Sequence, residues 1–236
     1  MKMDAKGVYY KELNKKVREV IGKSPQIELF NVNGQRYIGC GVKSNAKIVI
    51  NGVPGNDLAA FMDGLTIEVS GNCQDCTGNT MNSGKIIVHG DAGDVVGYAM
   101  RNGKIFVKGN AGYRVGIHMK EYKESIPVIV IGGSAGDFLG EYMAGGRIIL
   151  LNLNNDFDGG YIGTGMHGGV IYIRGDVDKG KIAKGVSMAE ITEEEETELR
   201  DILKEYCKDM KMDEIKGSFK KLIPSSLRPY GQLYSY

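Results

Sequence analysis

Short segments of alternating apolar and polar residues recur along the middle of the chain at a nearly constant interval. The repeated units begin at Ala46, Leu65, Gly84, Gly103, Pro127, Gly146 and Gly169, with spacings of 19, 19, 19, 24, 19 and 23 residues. Each unit carries two aliphatic residues two positions apart, namely Ile48 and Ile50, Ile67 and Val69, Ile86 and Val88, Ile105 and Val107, Ile129 and Ile131, Ile148 and Leu150, and Ile171 and Ile173. This alternation predicts one half-buried β-strand per unit. Repeats of this length with a single strand each predict a solenoid.

The other positions of the repeat predict an outer face and an inner stack. Residues such as Lys47, Lys85, His89 and Lys104 alternate with the inward pairs and suit a solvated outer face. Methionine recurs at one repeat position, which predicts an adaptable apolar stack along the axis: Met62, Met81, Met100, Met119, Met143 and Met166.

Glycine also holds fixed positions in the repeat. The chain has 35 glycines in 236 residues, about twice the usual share. The corners of a short coil need a positive φ or room for the neighbouring backbone, so these glycines are predicted to be structural. The repeat glycines are Gly71, Gly78, Gly90, Gly93, Gly97, Gly109, Gly112, Gly116, Gly133, Gly136 and Gly140, and Gly159 is expected to continue the column of Gly78.

The chain divides into a repeat array and two flanking segments. Residues 1–26 are predicted to form an N-terminal helix, from Gly7 to about Lys23, that caps the first coil. Residues 27–180 form the solenoid. Residues 181–236 contain a helix, which opens on a capping box of Thr192 and Glu195, and an extended tail. That tail could wrap back along the rod or dock on another protein.

Composition narrows the class of protein. The net charge is +1, so nothing points to nucleic acid or to an anionic membrane surface as a partner. No stretch reaches the 18 or so apolar residues of a membrane span. The four cysteines are too few and too scattered for a secreted disulfide scaffold. We therefore expect a cytoplasmic protein.

Cysteine and histidine offer the first candidates for chemistry. Cys73 and Cys76 form a CxxC, but Cys73 shares its repeat position with alanines and Cys76 shares one with Val95, Phe138 and Phe157. A core position is therefore favoured over a redox or zinc site. The three histidines, His89, His118 and His167, share no spacing that would form a triad or a metal cluster.

Acidic residues offer a second candidate. Asn56, Asp75, Asp94, Asp137 and Asp156 share one repeat position. Stacked carboxylates could hold a cation, but corner aspartates that bond the backbone of their own turn are favoured. The glycine-rich run 159–165 precedes no helix, so it is a weak match to a phosphate loop. The charged insertion 120–125 could contact a partner or simply be solvated. We predict no catalytic, cofactor-binding or metal-binding residue in this chain.

Several coils resemble a known family. The segments that carry the resemblance are Gly71–Asn82, Gly90–Gly97, Gly109–Gly116, Ile131–Met143 and Thr164–Met166. They are similar to the GXGXG domain, the C-terminal β-helix of the glutamate synthase large subunit, over roughly residues 27–177. The opening, Tyr9 to Lys16, and the ending, Leu227 to Tyr234, look like the form in which this domain is a separate polypeptide. The motif also occurs in one of the subunits of formylmethanofuran dehydrogenase.

The resemblance implies an all-β fold, a single-stranded right-handed parallel β-helix of about seven turns with short flanking α-helices. It implies a non-catalytic scaffold that packs between glutaminase-type and FMN-binding subunits of a multi-chain glutamate synthase. The FMN and the iron–sulfur cluster would lie in those partners, with no cofactor in this chain. A scaffold role in formylmethanofuran dehydrogenase, a self-contained β-helical enzyme and a homo-oligomer stay open.

Overall fold

One sheet of eleven strands runs through residues 1–226, the part of the chain that the computed structural model describes. The strands are β1 (Lys2–Asp4), β2 (Gln26–Asn33), β3 (Lys47–Val53), β4 (Asp63–Val69), β5 (Ser83–Val88), β6 (Lys104–Val107), β7 (Val128–Ile131), β8 (Ala144–Leu150), β9 (Gly168–Arg174), β10 (Val186–Ala189) and β11 (Phe219–Pro224). The helices are α1 (Tyr10–Val20), α2 (Glu193–Met210) and a 3₁₀ turn at Lys179–Lys181. The protein is a β-solenoid of about seven turns, as the repeat predicted.

The register of the strands follows the repeat. From β2 to β9 each strand pairs in parallel with the next, and the inward isoleucines are direct partners: Ile48, Ile67, Ile86, Ile105, Ile129, Ile148 and Ile171. All are fully buried, and the predicted methionine stack is buried beside them. Identical side chains therefore stack along the axis, which is why the sequence period is so regular.

A turn with three left-handed residues at alternate positions closes each coil. In one coil these residues are Val95, Gly97 and Ala99, with φ of 54°, 69° and 50°. The middle residue faces the core, where a Cβ on Gly97 would lie 2.4 Å from Cδ1 of Ile129. Only glycine satisfies both the positive φ and the close contact.

The N-terminal end is closed by both a strand and a helix. Leu13 and Val17 of α1 are buried against the first coil. Before the helix, β1 pairs in parallel with β2 and covers its edge. The sequence analysis predicted the helix but missed this strand, because Met3 is its only apolar residue.

The outer face of the sheet is not solvated throughout, which corrects the prediction from the charged positions. From β5 to β9 the middle outward residue is apolar, and α2 lies across it. This second core contains Ile87, Phe106, Val130, Ile149 and Tyr172 of the strands with Leu199, Ile202, Leu203, Tyr206 and Met210 of α2. The capping box of Thr192 and Glu195 is formed as predicted.

Antiparallel strands close the C-terminal end. β11 pairs with β9, and β10 pairs with the other edge of β11. The first residues of the predicted tail, Phe219–Pro224, therefore wrap back on the rod as a strand. The ending Leu227 to Tyr234 lies outside the described residues.

Candidate functional site

Side-chain oxygens on one corner of the rod hydrogen-bond the backbone of the next coil. The Oδ1 atoms of Asn72, Asp91 and Asn110 accept from the backbone N–H groups of Asp91, Asn110 and Ser134 at 2.9, 2.7 and 2.8 Å. Asp91 and Asn110 thus each donate to the coil before and accept from the coil after. The result is a continuous ladder of polar side chains along the corner.

The column of aspartates forms a second ladder. Oδ1 of Asp75 accepts from the N–H of Asp94, and Oδ1 of Asp94 accepts from the N–H of Tyr113, each at 2.9 Å. Oδ1 of Asp137 accepts from the N–H of Gly160 at 2.8 Å. The expectation that these aspartates bond their own turn is therefore wrong, since their partners lie one coil further on. Within the described residues no group of three His, Cys, Asp or Glu side chains could hold a metal ion.

The last coil corrects three sequence assignments. The column of Asp137 continues with Gly160 rather than Asp156, and Phe138 is followed by Tyr161 rather than Phe157. The N–H of Gly163, not of Gly159, bonds the coil below in the column of Gly140. The cause is the position of the inserted residues. They form a turn in which Oδ1 of Asn152 accepts from Asp156 and Phe157, ahead of the corner.

The two cysteines of the CxxC differ in their surroundings. Cys73 is 5% exposed, and burial raises the pKa of its thiol to about 12. It is bridged to Ala92 of the next coil, as its column predicted. Cys76 is half-buried, and burial followed by the charges of Asp57, Asp75 and Asp94 raises the pKa of its thiol. Neither environment produces the thiolate that redox or metal chemistry requires.

The histidines lie apart and have different partners. Nε2 of His89 lies 2.9 Å from a carboxylate oxygen of Glu68 on the outer face. Nδ1 of His167 lies 3.1 Å from the carbonyl oxygen of Gly165. His118 is exposed on the left-handed corner, between the rings of Tyr98 and Tyr142, with centroid distances of 5.9 and 5.2 Å.

This left-handed corner gathers exposed aromatic and charged side chains into a surface that we call the corner ridge. Its rings are Tyr37, Phe61, Tyr98, Tyr113, His118, Phe138, Tyr142 and Tyr161, and its charged residues are Asp57, Asp75, Asp94, Arg114, Asp137 and Glu141. The sequence analysis missed this surface because the aromatics occupy several repeat positions. Its signal was their restriction to the residues around the Gly78 column.

The insertion 120–125 is anchored to the rod. Backbone N–H groups of Tyr122 and Ser125 donate to each other's carbonyl oxygens at 3.0 Å, which makes a tight turn. A carboxylate oxygen of Glu121 accepts from the N–H of Gly146 at 2.8 Å and pairs with Arg147 at 3.3 Å. The exposed part of the insertion is therefore Tyr122 to Glu124.

A groove of about 640 Å³ runs between α2 and the segment that precedes β11. Leu199, Leu203, Ile215 and Phe219 supply its apolar lining, and charged residues of α2 form its rim. Neither α1 nor α2, the helices of the described part, has the length and hydropathy needed to cross a membrane.

The repeat and its closures match a known family. The family model described as the GXGXG motif matches residues 20–225. The chain belongs to the GXGXG motif family. The resemblance drawn from the coil sequences is thereby confirmed.

Two relatives of different size share this motif with the chain. An uncharacterized protein of Methanocaldococcus jannaschii is 48% identical over 249 residues, which cover 99% of this chain and 95% of that protein. The ferredoxin-dependent glutamate synthase 2 of Synechocystis sp. is 31% identical over 151 residues, which cover 61% of this chain. That match spans 9% of the synthase. The GXGXG chain is thus similar to a small part of a much longer enzyme.

Proposed function

We propose that this chain is a non-catalytic scaffold subunit of a glutamate synthase assembled from separate polypeptides. The observation that carries the proposal is the match of 151 residues to 9% of a ferredoxin-dependent glutamate synthase. A module that is internal to one long enzyme is here carried on a chain of 236 residues. Its contribution to synthesis would then be made across subunit interfaces, with a glutaminase-type chain and an FMN-binding chain.

The rod suits a scaffold because its coils are coupled along their whole length. Core isoleucines stack across every strand pair, and the side-chain ladders of Asn72 and Asp75 tie the corner backbone of successive coils. Such a nearest-neighbour array fixes the distance between whatever binds at its two ends or along its side.

The thiols of this chain do not fit an iron–sulfur cluster. Clusters are held by cysteine thiolates, but Cys73 is buried with a pKa of about 12. Cys207 lies under α2, and burial raises the pKa of its thiol. We place the cluster and the FMN in the partner chains. The free cysteines suit the reducing cytoplasm.

Reconstitution from purified chains tests the proposal. The glutaminase-type and FMN-binding chains of the same organism are mixed with and without this chain, and glutamate formation from glutamine and 2-oxoglutarate is measured with a reduced electron donor. We expect this chain to be inactive alone and to raise the output of the mixture about tenfold or more, equivalent to about 1.4 kcal/mol of coupling. The three chains should also elute together.

Two outcomes would contradict the proposal. Activity of this chain alone on both substrates would make it an enzyme in its own right. An unchanged output, together with separate elution, would remove it from the synthase. Co-purification of molybdopterin-binding chains from native extracts would favour the formylmethanofuran dehydrogenase alternative.

A further inference from the structure

Exposed aromatic side chains are concentrated on one edge of the rod. Of the large apolar side chains that residues 1–226 leave exposed, six lie on the corner ridge: Tyr37, Phe61, Tyr98, Tyr113, Tyr142 and Tyr161. From Phe61 to Tyr161 the ridge crosses five coil steps, about 24 Å at the spacing of paired strands. Aromatic residues and arginine are the types enriched at the centres of protein interfaces.

The backbone under the ridge carries side chains where the fold does not ask for them. Glycine is required only in the core-facing column of Gly97, but the two solvent-facing columns beside it also have positive φ. They hold Val95, Arg114, Phe138 and Tyr142, with φ of 54°, 59°, 65° and 52°. Non-glycine residues in this conformation cost about 1–3 kcal/mol each. Such breaks of a local rule are typical of functional surfaces.

The rings of the ridge are held in place before any partner binds. The ring of Phe138 stacks on Tyr161 with centroids 4.9 Å apart, and the guanidinium of Arg114 lies 4.5 Å above Phe138. His118 stacks on Tyr142 in the same way. Preorganised side chains lose little conformational entropy on binding, which favours affinity.

The charge of the ridge is negative. Asp57, Asp75, Asp94, Asp137 and Glu141 are opposed only by Arg114 among the ridge residues defined above. The guanidinium of Arg114 is itself paired with Glu141. Asp75, Asp94 and Asp137 use one oxygen each in ladder bonds, so their charge is left for a cationic partner.

We propose that the corner ridge is the surface through which this chain docks another protein subunit, and that the docked face of that subunit presents arginine and lysine side chains. Guanidinium groups would lie over the exposed rings, as Arg114 lies over Phe138, and would face the free carboxylate oxygens. The inference rests on the proposed function in taking that subunit to be a chain of the synthase.

Binding measurements with two sets of ridge variants test the inference. The probes are the purified glutaminase-type and FMN-binding chains of the same organism. Tyr113→Ala with Tyr161→Ala removes exposed rings. Asp75→Asn with Asp94→Asn and Asp137→Asn removes charge but keeps the Oδ1 acceptors, since asparagine already fills the ladder at Asn110.

We expect each set to weaken binding of one probe about tenfold or more, and the asparagine set to reduce the salt dependence of binding. Tyr122→Ala is the control, because Tyr122 is exposed on the insertion and outside the ridge. Its affinity should match the wild type. Ridge variants that bind as the wild type does would overturn the inference while leaving the proposed function intact.

Cross-linking in cells separates the two proposals if neither probe binds the wild type. That result alone would contradict the proposed function. Tyr113→p-benzoylphenylalanine would then be irradiated in the native host, with Tyr122→p-benzoylphenylalanine as control. Adducts from position 113 to an arginine- or lysine-rich segment of another protein would support the ridge with a different partner. Absence of such adducts, or adducts to a second copy of this chain alone, would overturn it.

Discussion

The carboxylate oxygen Oδ1 of Asp75 lies 2.9 Å from the backbone nitrogen of Asp94, which holds the same repeat position one coil later. A Cβ on the adjacent Gly93 would lie 2.2 Å from that oxygen. The same relation links Asp94 to Gly112, at 2.0 Å. The aspartate and the glycine of neighbouring coils therefore require each other, and this gives the Gly-Asx pattern of the repeat a reason besides turn conformation.

Gly93→Ala should destabilise the protein by about 2–3 kcal/mol, because its Cβ overlaps the Asp75 oxygen. Asp75→Ala should cost about 1 kcal/mol through the lost hydrogen bond. The double variant should cost at least about 0.5 kcal/mol less than the sum, because the closest overlap is gone. Equilibrium unfolding in urea measures all three.

Gly22→Ala is the matched control for this cycle. No atom lies within 4 Å of the Cβ position at Gly22, so we expect a change within about 0.5 kcal/mol. Additive costs for Gly93→Ala and Asp75→Ala would show that the ladder does not explain the glycine.

The period of the sequence predicts the interior of the rod because each inward position meets its own kind in the next coil. Ile86 pairs with Ile105, and Met81 and Met100 both lie in the core, so a spacing of 19 residues suffices to place them. The site needs more than the period. The donor for Asp75 could be found only by reading Gly93 and Asp94 against the coil before.

The docking of α2 and the last coil depend on contacts that the period does not encode. Phe106 and Tyr206 lie far apart in sequence, and their rings meet at 5.5 Å only when the helix crosses the sheet. Apolar residues between charged outward positions were an available signal. In the last coil, extra residues could precede or follow the corner with equal spacing, so Gly160 was not distinguished from Asp156.

Replacement of Met100 tests the packing of the methionine stack. Met100 is fully buried, so Met100→Ala should cost about 2–5 kcal/mol through the cavity it leaves. Met100→Leu keeps most of the volume and should cost less than about 1.5 kcal/mol. Thermal unfolding of both variants checks the order. Equal losses would mean that the stack depends on methionine itself rather than on filled volume.

Thiol labelling tests the position of the CxxC in the core. Burial raises the pKa of Cys73 to about 12, so at pH 8 its thiol is protonated as well as inaccessible. We expect iodoacetamide to modify Cys40 and Cys76 first, with Cys73 labelled only in denaturant, as read by peptide mass spectrometry. Labelling of Cys73 at the rate of Cys40 under native conditions would contradict the structure.

The ion pairs of Glu205 should make the seating of α2 depend on pH. Burial of Glu205 raises the pKa of its carboxyl, but hydrogen bonds from Lys104 and Lys85 outweigh it and leave the pKa lowered. The ionised form therefore stabilises the fold at neutral pH, and this contribution is lost as pH falls below about 4.3 and through the folded-state pKa. Glu205→Gln should be less stable than the wild type by about 1 kcal/mol at pH 7.

The stability gap between Glu205→Gln and the wild type should close as the wild-type carboxyl is protonated, since the two side chains then carry the same charge. Urea unfolding at pH 7, 5, 4 and 3 measures the gap. Glu196→Gln serves as control, because its pair with Arg200 on the same helix is exposed and should contribute less than about 0.5 kcal/mol at any pH. A gap for Glu205→Gln that stays constant down to pH 3 would show that α2 is held by the apolar contacts of Tyr206 and Leu203 without help from the lysines.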